Sequence, residues 1–315
     1  MKHADQLVSV VICTAGRPEV FGAALRSVLA QDYGDFEILI LDQSRDDRTE
    51  TITRELAADD SRVRYWRLEQ RGLSRAYNRG VERAGGELVA FTDDDCVAPP
   101  GWLRAVAGAF AREPEAELVY GQVLGPIDSR DQRGGEGVIP TLPIAKLERL
   151  SKRDGFRVFG MGANFATTRA AWKRLGGFDE ILGGGGPLQS AQDFDYAYRV
   201  FLGGGTIVLD PAVMVHHYGF RLHSEWPDTV GSYGIGVGGF YSKHIRAGDR
   251  YALFLFTRSM LKVVARMIKR EVLARPTAVQ RTYLSHVVAG FWKSLGFGVD
   301  RRRRLYYERP APVTH

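Results

Sequence analysis

"ELVAFTDDDCVAPPGW", residues Glu87–Trp102, sets a strand-like apolar run directly against three adjacent carboxylates, Asp93, Asp94 and Asp95. Like charges this close repel, and no basic residue within the stretch offsets them. A lone acid at such a place reads as an ordinary turn residue. A triple is different, because a divalent cation relieves its repulsion most directly. Carboxylate oxygens are what Mg2+ or Mn2+ select, and such a metal commonly bridges a diphosphate.

Upstream of this stretch, strand and helix patterns alternate. Strand-like runs fall at Leu7–Thr14, Phe36–Asp42 and Arg62–Leu68, and the quoted run Glu87–Thr92 is the fourth. Helical patterns lie between them: Pro18–Leu29, a polar one through Leu56, and Leu73 to about Ala84. Downstream, a helix over Gly101–Ala111 precedes a strand over Ala116–Val123. Repeated βα units of this length predict a mainly parallel sheet with helices on both faces. In such sheets ligands bind beyond the carboxyl ends of the strands. Asp42 ends the second strand as the triple ends a later one, so both belong to one edge.

From Leu124 to about Phe159 the pattern breaks into Gly, Pro and charge, which predicts a long excursion. It resumes with a four-glycine turn, Gly183–Gly186, a helix over Asp193–Phe201 and a strand over Thr206–His217. Strand alternation sends His216 and His217 to opposite faces, so one of the two reaches a site. Asp195 stands four residues before Arg199, the spacing of a surface pair along a helix.

The chain of 315 residues suits one large domain or two smaller ones. Cys13 and Cys96 sit beside apolar runs, outside any CxxC or His/Cys cluster, and read as buried reduced thiols; a disulfide between them is the alternative. The start "MKHADQLVSVVICTAG" shows no leader pattern, and no window supplies the roughly 18 apolar residues of a spanning helix. The expected place is the cytoplasm, including the cytoplasmic face of a membrane.

Net charge is +6, but Lys243–Arg304 holds fifteen Lys/Arg against three acids, so Met1–Ser242 is net acidic. This asymmetry divides the chain into a domain over 1–242 and a basic helical tail over 243–315. In the tail, Leu253, Phe256, Met260, Val264 and Met267 recur at helical spacing among cations. Such a helix lies on an anionic bilayer surface or docks on the acidic domain. No nucleic-acid module accompanies the charge, so no nucleic-acid partner is expected. "GIGVGG" (Gly234–Gly239) matches a dinucleotide fingerprint but lacks its strand–turn–helix context, and reads as a turn or a close-packed helix start.

Six segments, "VSVVICTAGRP", "ILILDQS", "RGLSRAYNRGVERAGGELVAFTDDDC", "GGFDEILGGG", "QDFDYAYRVFLGGG" and "DPAVMVHHYG", follow the order typical of family 2 glycosyltransferases. The resemblance covers about Leu7–Phe220. It implies the GT-A (Rossmann-like) α/β fold, a nucleoside-diphosphate sugar donor, a Mn2+ or Mg2+ cofactor and inversion at the anomeric centre. It implies that Thr14 and Arg17 line the nucleotide pocket, that Asp42 binds base or ribose, and that Arg75 and Asn78 contact donor phosphate or ribose. Asp93 and Asp95 become the D-x-D pair, with Asp95 on the metal and Asp93 on the sugar–ribose side, Asp94 being able to exchange with either. His217, six residues after Pro211, joins the metal or phosphate. The family's general base is the Asp of an acidic pair opening a helix; here the pair is Gln192–Asp193, so Asp193 keeps the role and its usual acidic neighbour is an amide.

The resemblance further implies a glycan or lipid-linked acceptor, as in building a surface polysaccharide or glycolipid. A sugar-nucleotide nucleotidyltransferase would want a Gly-rich basic phosphate loop after the first strand, where "CTAGRPE" has one glycine and one arginine. A non-catalytic glycan-binding or scaffold protein on the same fold is the other alternative, kept open by Gln192. Specificity is expected in the Leu124–Phe159 excursion and the glycine turn.

Overall fold

The computed structural model describes residues 6–127, 137–157 and 159–309. They fall into two units, residues 1–178 with 196–221, and residues 179–195 with 222–315.

The first unit is built on a nine-stranded sheet. Strands β1 (Val8–Thr14), β2 (Phe36–Asp42), β3 (Val63–Arg67) and β4 (Leu88–Asp93) run parallel in the order β3-β2-β1-β4. Helices α1 (Pro18–Leu29), α2 (Arg48–Ala57) and α3 (Leu73–Arg83) are their crossovers, and α4 (Trp102–Arg112) follows the two-residue β5 (Cys96–Val97). β6 (Ala116–Leu124) comes next. The excursion after it holds β7 (Gly137–Val138) and β8 (Glu148–Leu150); its residues 128–136 and 158 lie outside the described residues. β9 (Asn164–Thr168) then enters antiparallel between β4 and β6, followed by α5 (Arg169–Leu175), α6 (Gln192–Leu202), β10 (Thr206–His217) and β11 (Arg221–Leu222). β10 lies parallel to β6 and antiparallel to β5 and β8. The sheet is mainly parallel where β1, β2 and β4 carry the expected site residues, and mixed beyond.

Alternation along β1 explains why helices cover both faces. Val10 and Ile12 pack with Phe21 and Leu25 of α1, in the same core as Ile38 and Ile40. Val11 points the other way, toward Gly80 of α3, where a Cβ would fall 2.7 Å from Val11 Cγ1. Only glycine lets α3 approach β1 this closely. On that face an aromatic cluster fills the core, with Phe91 stacked on Phe165 at 4.4 Å and Phe178 on Tyr196 at 4.4 Å.

The second unit is helical: α7 (Trp226–Arg246), α8 (Arg250–Val272) and α9 (Ala278–Lys293), closed by the hairpin β12 (Gly298–Asp300)–β13 (Leu305–Tyr307). The boundary expected after Ser242 falls inside α7. "GIGVGG" lies in that helix too, eight residues past its start, and not at a turn. Its glycines form a packing seam: a Cβ on Gly238 would lie 2.1 Å from Val287 O, and one on Gly290 of α9 would lie 2.1 Å from Ile235 O. The Gly183–Gly186 turn is hydrogen-bonded closed, Gly186 N–H to Gly183 O at 2.9 Å and Gly183 N–H to Ser190 O at 3.0 Å. Gly183 and Gly185 occupy the left-handed region that a side chain would oppose.

Candidate active site

Register brings the expected residues together at one edge. Thr14 of β1 pairs with Asp42 of β2, and Cys13 pairs with Asp93 of β4. The chain turns at Asp94 and Asp95 into β5, where Cys96 pairs with His217 at the end of β10. Arg17, just before α1, reaches back to the turn. Its Nε donates to Asp94 Oδ2 at 3.2 Å, its Nη1 to Asp95 Oδ2 at 2.6 Å, and its Nη2 to Asp94 Oδ1. One guanidinium thus serves two of three carboxylates. The remaining excess of negative charge shifts the carboxyl pKa values. Burial, then Asp95 and Asp94, push Asp93 well up; burial lifts Asp94 to about 6 despite Arg17. Asp95 moves the other way, because His217 and Arg17 outweigh its burial.

His217 is buried and oriented by the backbone. Its Nδ1 lies 2.9 Å from Pro140 O, and since a carbonyl only accepts, Nδ1 carries the hydrogen. Nε2 then faces Asp95 Oδ1 at 3.3 Å. Asp95 Oδ1 is buried and accepts no hydrogen bond. In a neutral ring two lone pairs confront each other there, and only a proton or a cation between them resolves it. Accordingly Asp95 and Asp93 hold the imidazole pKa above its ordinary value against burial. Gly219 closes over the pair, since a Cβ there would sit 2.5 Å from Asp95 Oδ2 and 2.6 Å from His217 Nε2. A carboxylate oxygen and an imidazole nitrogen braced by a carbonyl are a fitting donor set for a divalent ion. Cys96 Sγ lies in the same group, but burial and the neighbouring acids keep it a thiol. Both cysteines are buried and free.

His216, as alternation required, turns away to Gly125 O at 2.8 Å. Asp42 is fully buried, accepting from Ser44 N–H and Tyr65 O–H, each at 2.7 Å. Arg75 is half-buried on α3. Asn78, expected at the donor, has another task here: Oδ1 accepts from Phe178 N–H at 2.8 Å and Trp172 Nε1 at 3.1 Å, and Nδ2 donates to Phe178 O at 2.9 Å. A buried amide so engaged braces the turn after α5.

Asp193 sits in the first turn of α6, half-buried, with Oδ1 accepting from Phe194 N–H at 2.8 Å. Gln192 before it is buried. Asp195 and Arg199 are both buried as well, which removes them from the surface-pair reading. Asp195 instead anchors a group the sequence did not disclose. Lys243 Nζ of α7 lies 2.7 Å from Asp195 Oδ1 and 2.5 Å from Asp179 Oδ2. His244 Nε2 is 2.8 Å from Asp195 Oδ1, and Tyr306 N–H donates to Asp179 Oδ2 at 2.9 Å. Ser190, between Gln189 and Ala191 at positive φ, donates to Ser232 O of α7 at 2.9 Å. The chain around Asp193 is therefore pinned to α7 on both sides.

The mainly parallel sheet with helices on both faces, its strand ends gathering an Asp-x-Asp turn, an arginine and a histidine, is a GT-A-type fold. Comparison with known proteins gives its family. Residues 9–176 match glycosyl transferase family 2, and the chain belongs to that family; it is a glycosyltransferase. The glucosyl-dolichyl phosphate glucuronosyltransferase of Haloferax volcanii is 25% identical over 318 residues, covering 92% of this chain and 94% of its own. The GalNAc(5)-diNAcBac-PP-undecaprenol beta-1,3-glucosyltransferase of Campylobacter jejuni is 33% identical, over 28% of this chain and 29% of its own. Among solved structures, the mannosyltransferase PcManGT from Pyrobaculum calidifontis, in complex with GDP-Man and Mn2+, superposes with a TM-score of 0.62 at 20% identity, covering 91% of this chain and 86% of that one. Among the described residues, no helix is long and apolar enough to cross a membrane.

Proposed function

We propose that the protein transfers a sugar, with inversion, from a nucleoside-diphosphate sugar to a lipid-linked acceptor at the cytoplasmic side of a membrane. The observation that carries this reading is the buried Asp95 Oδ1 facing His217 Nε2 with no hydrogen bond to satisfy it. Asp95, His217 and, alongside them, Asp93 would hold Mn2+ or Mg2+, whose chemistry there is to neutralise charge on the donor diphosphate. Thr14, Arg17, Asp42 and Arg75 would face the nucleotide. In the single displacement the acceptor oxygen bonds to the anomeric carbon as its bond to the diphosphate oxygen breaks. Asp193 takes the hydroxyl proton, and the nucleoside diphosphate leaves. A lipid-linked acceptor follows the names of the Haloferax and Campylobacter relatives, a dolichyl phosphate and an undecaprenol diphosphate carrier.

The test pairs calorimetric titration of UDP, GDP and dTDP, with and without Mn2+, with turnover of the donor that binds. Asp193→Asn should keep metal-dependent nucleotide binding and lose roughly 10²–10⁴-fold in transfer. Undiminished transfer would remove Asp193 from the mechanism. Failure of every nucleotide to bind with metal present would overturn the donor reading.

A further inference from the structure

Helix α8 has two apolar faces, and its own unit accounts for only one. Ala252 and Leu255 are buried; Phe256, Met260, Val263 and Met267 are half-buried, with Phe256 stacked on Phe291 at 5.9 Å and against Tyr241 at 5.2 Å. These side chains dock the helix. On the opposite side Phe254, Leu261, Ile268 and Val272 are 56%, 64%, 57% and 80% exposed. Phe254, Leu261 and Ile268 are seven residues apart, so they form one continuous stripe of about four turns. An exposed apolar stripe of this regularity on a water-soluble surface marks a binding face.

The charge beside the stripe selects what binds. Arg258, Lys262, Arg266 and Lys269 are exposed on α8, and none has an ion-pair partner among the described residues. The one acid of the helix, Glu271, is already paired with Arg281 at 2.7 Å. A symmetric pairing of α8 with α8 of a second copy would bring the same cations against these, with the one acid of each helix already engaged. An anionic bilayer supplies both an apolar phase and negative headgroups, and interfacial helices of this composition lie flat in that boundary.

We propose that α8 is the membrane-docking element of this protein: the stripe Phe254–Leu261–Ile268–Val272 enters the headgroup boundary of an anionic bilayer and the flanking cations bind its lipid phosphates. The inference deepens the lipid-linked-acceptor reading and rests on it for its purpose. The docking itself is tested without donor or acceptor.

The experiment is co-sedimentation of the full chain with vesicles of phosphatidylcholine alone or with about 30% phosphatidylglycerol, at low and high salt. Two variants at exposed positions spare the core: Leu261→Asp with Ile268→Asp, and Lys262→Glu with Lys269→Glu. Melting curves check folding, and nucleotide titration of the same variants reads the donor site separately. The expected result is phosphatidylglycerol-dependent, salt-sensitive pelleting that drops at least about tenfold in each variant, with nucleotide binding unchanged. Equal pelleting on both vesicle types, binding that survives the charge reversals, or no pelleting at all would overturn the proposal. So would a concentration-dependent dimer that the apolar variant dissociates while vesicles bind neither form, which would make the stripe a self-association face. Loss of nucleotide binding in the wild type would count against the donor reading alone.

Discussion

Two clusters of buried charge sit in the two units of this chain, and they are built on opposite principles. At the strand ends, three aspartates share one arginine and a histidine, two carboxylates are pushed toward protonation, and one buried oxygen accepts no hydrogen bond. Around α7, two aspartates meet a lysine, a histidine and a backbone N–H, and Lys243, Asp179, Asp195 and His244 are fully buried. The first cluster is left short of positive charge, as a ligand site must be. The second meets its carboxylates with hydrogen-bond donors from its own unit, Lys243 Nζ, His244 Nε2 and the Tyr306 N–H. Buried ion pairs seldom add stability over well-packed apolar groups. Their value at α7 is in fixing where the first turn of α6 lies, and that turn carries Asp193.

The contrast breaks most visibly at Asp95. Replacing it by Asn should cost about 10³-fold in transfer, the scale of losing one preorganised electrostatic contact in an active site. The melting temperature should fall only modestly, because the turn loses the pairing of Asp95 with Arg17 and His217 while Asp93 and Asp94 lose a like-charged neighbour. A coupled activity assay and a thermal melt check both halves, and a large drop in melting temperature would make Asp95 structural. Lys243→Met should behave in the reverse sense. It strands Asp179 and Asp195 without their cation and should cost about 3–5 kcal/mol in urea unfolding. A neutral result would mean the two carboxylates are not held by Lys243.

A smaller effect separates the two histidines of these clusters. Burial pushes His244 down to about 4, with Asp195 only partly opposing it. Its folded value lies below the unfolded value of about 6.5, so the unfolded chain takes up the proton first on acidification. Its contribution is complete above about pH 6.5 and is lost as pH falls toward 4, by up to about 3 kcal/mol. Urea unfolding at about pH 7.5 and about pH 5 measures the slope. In His244→Gln the stability difference between the two pH values should shrink by about 2 kcal/mol, and an unchanged difference would place the titration elsewhere.

These clusters were unequally legible in the sequence. The strand-end site was readable because each member is tied to a local pattern. Thr14, Asp42 and Asp93 end apolar runs; alternation sends His216 and His217 to opposite faces, and the family resemblance, through the spacing from Pro211, selects His217. Arg17 was expected at the nucleotide; its grip on Asp94 and Asp95 was not, since loop direction leaves no periodic trace. Three-residue spacing with Arg75 marks Asn78 as sharing a helix face without saying what covers it. The α7 strut was invisible for a related reason. Lys243 lies 64 residues from Asp179, and a lysine in a basic helical stretch reads as solvated until tertiary packing buries it. β9 was equally hidden: "NFATT" is too short to announce itself or its antiparallel place between β4 and β6.

The glycine seam between α7 and α9 limits how the helical unit can rearrange. Packed helices often adjust by sliding past one another a fraction of a turn. Here Gly234 and Gly238 face α9 backbone, Gly290 faces α7 backbone, and the residues between them carry side chains such as Ile235 and Val237. A slip of one residue would drive a branched side chain into a carbonyl. Shear is closed to this pair, so α7 and α9 move as a single body.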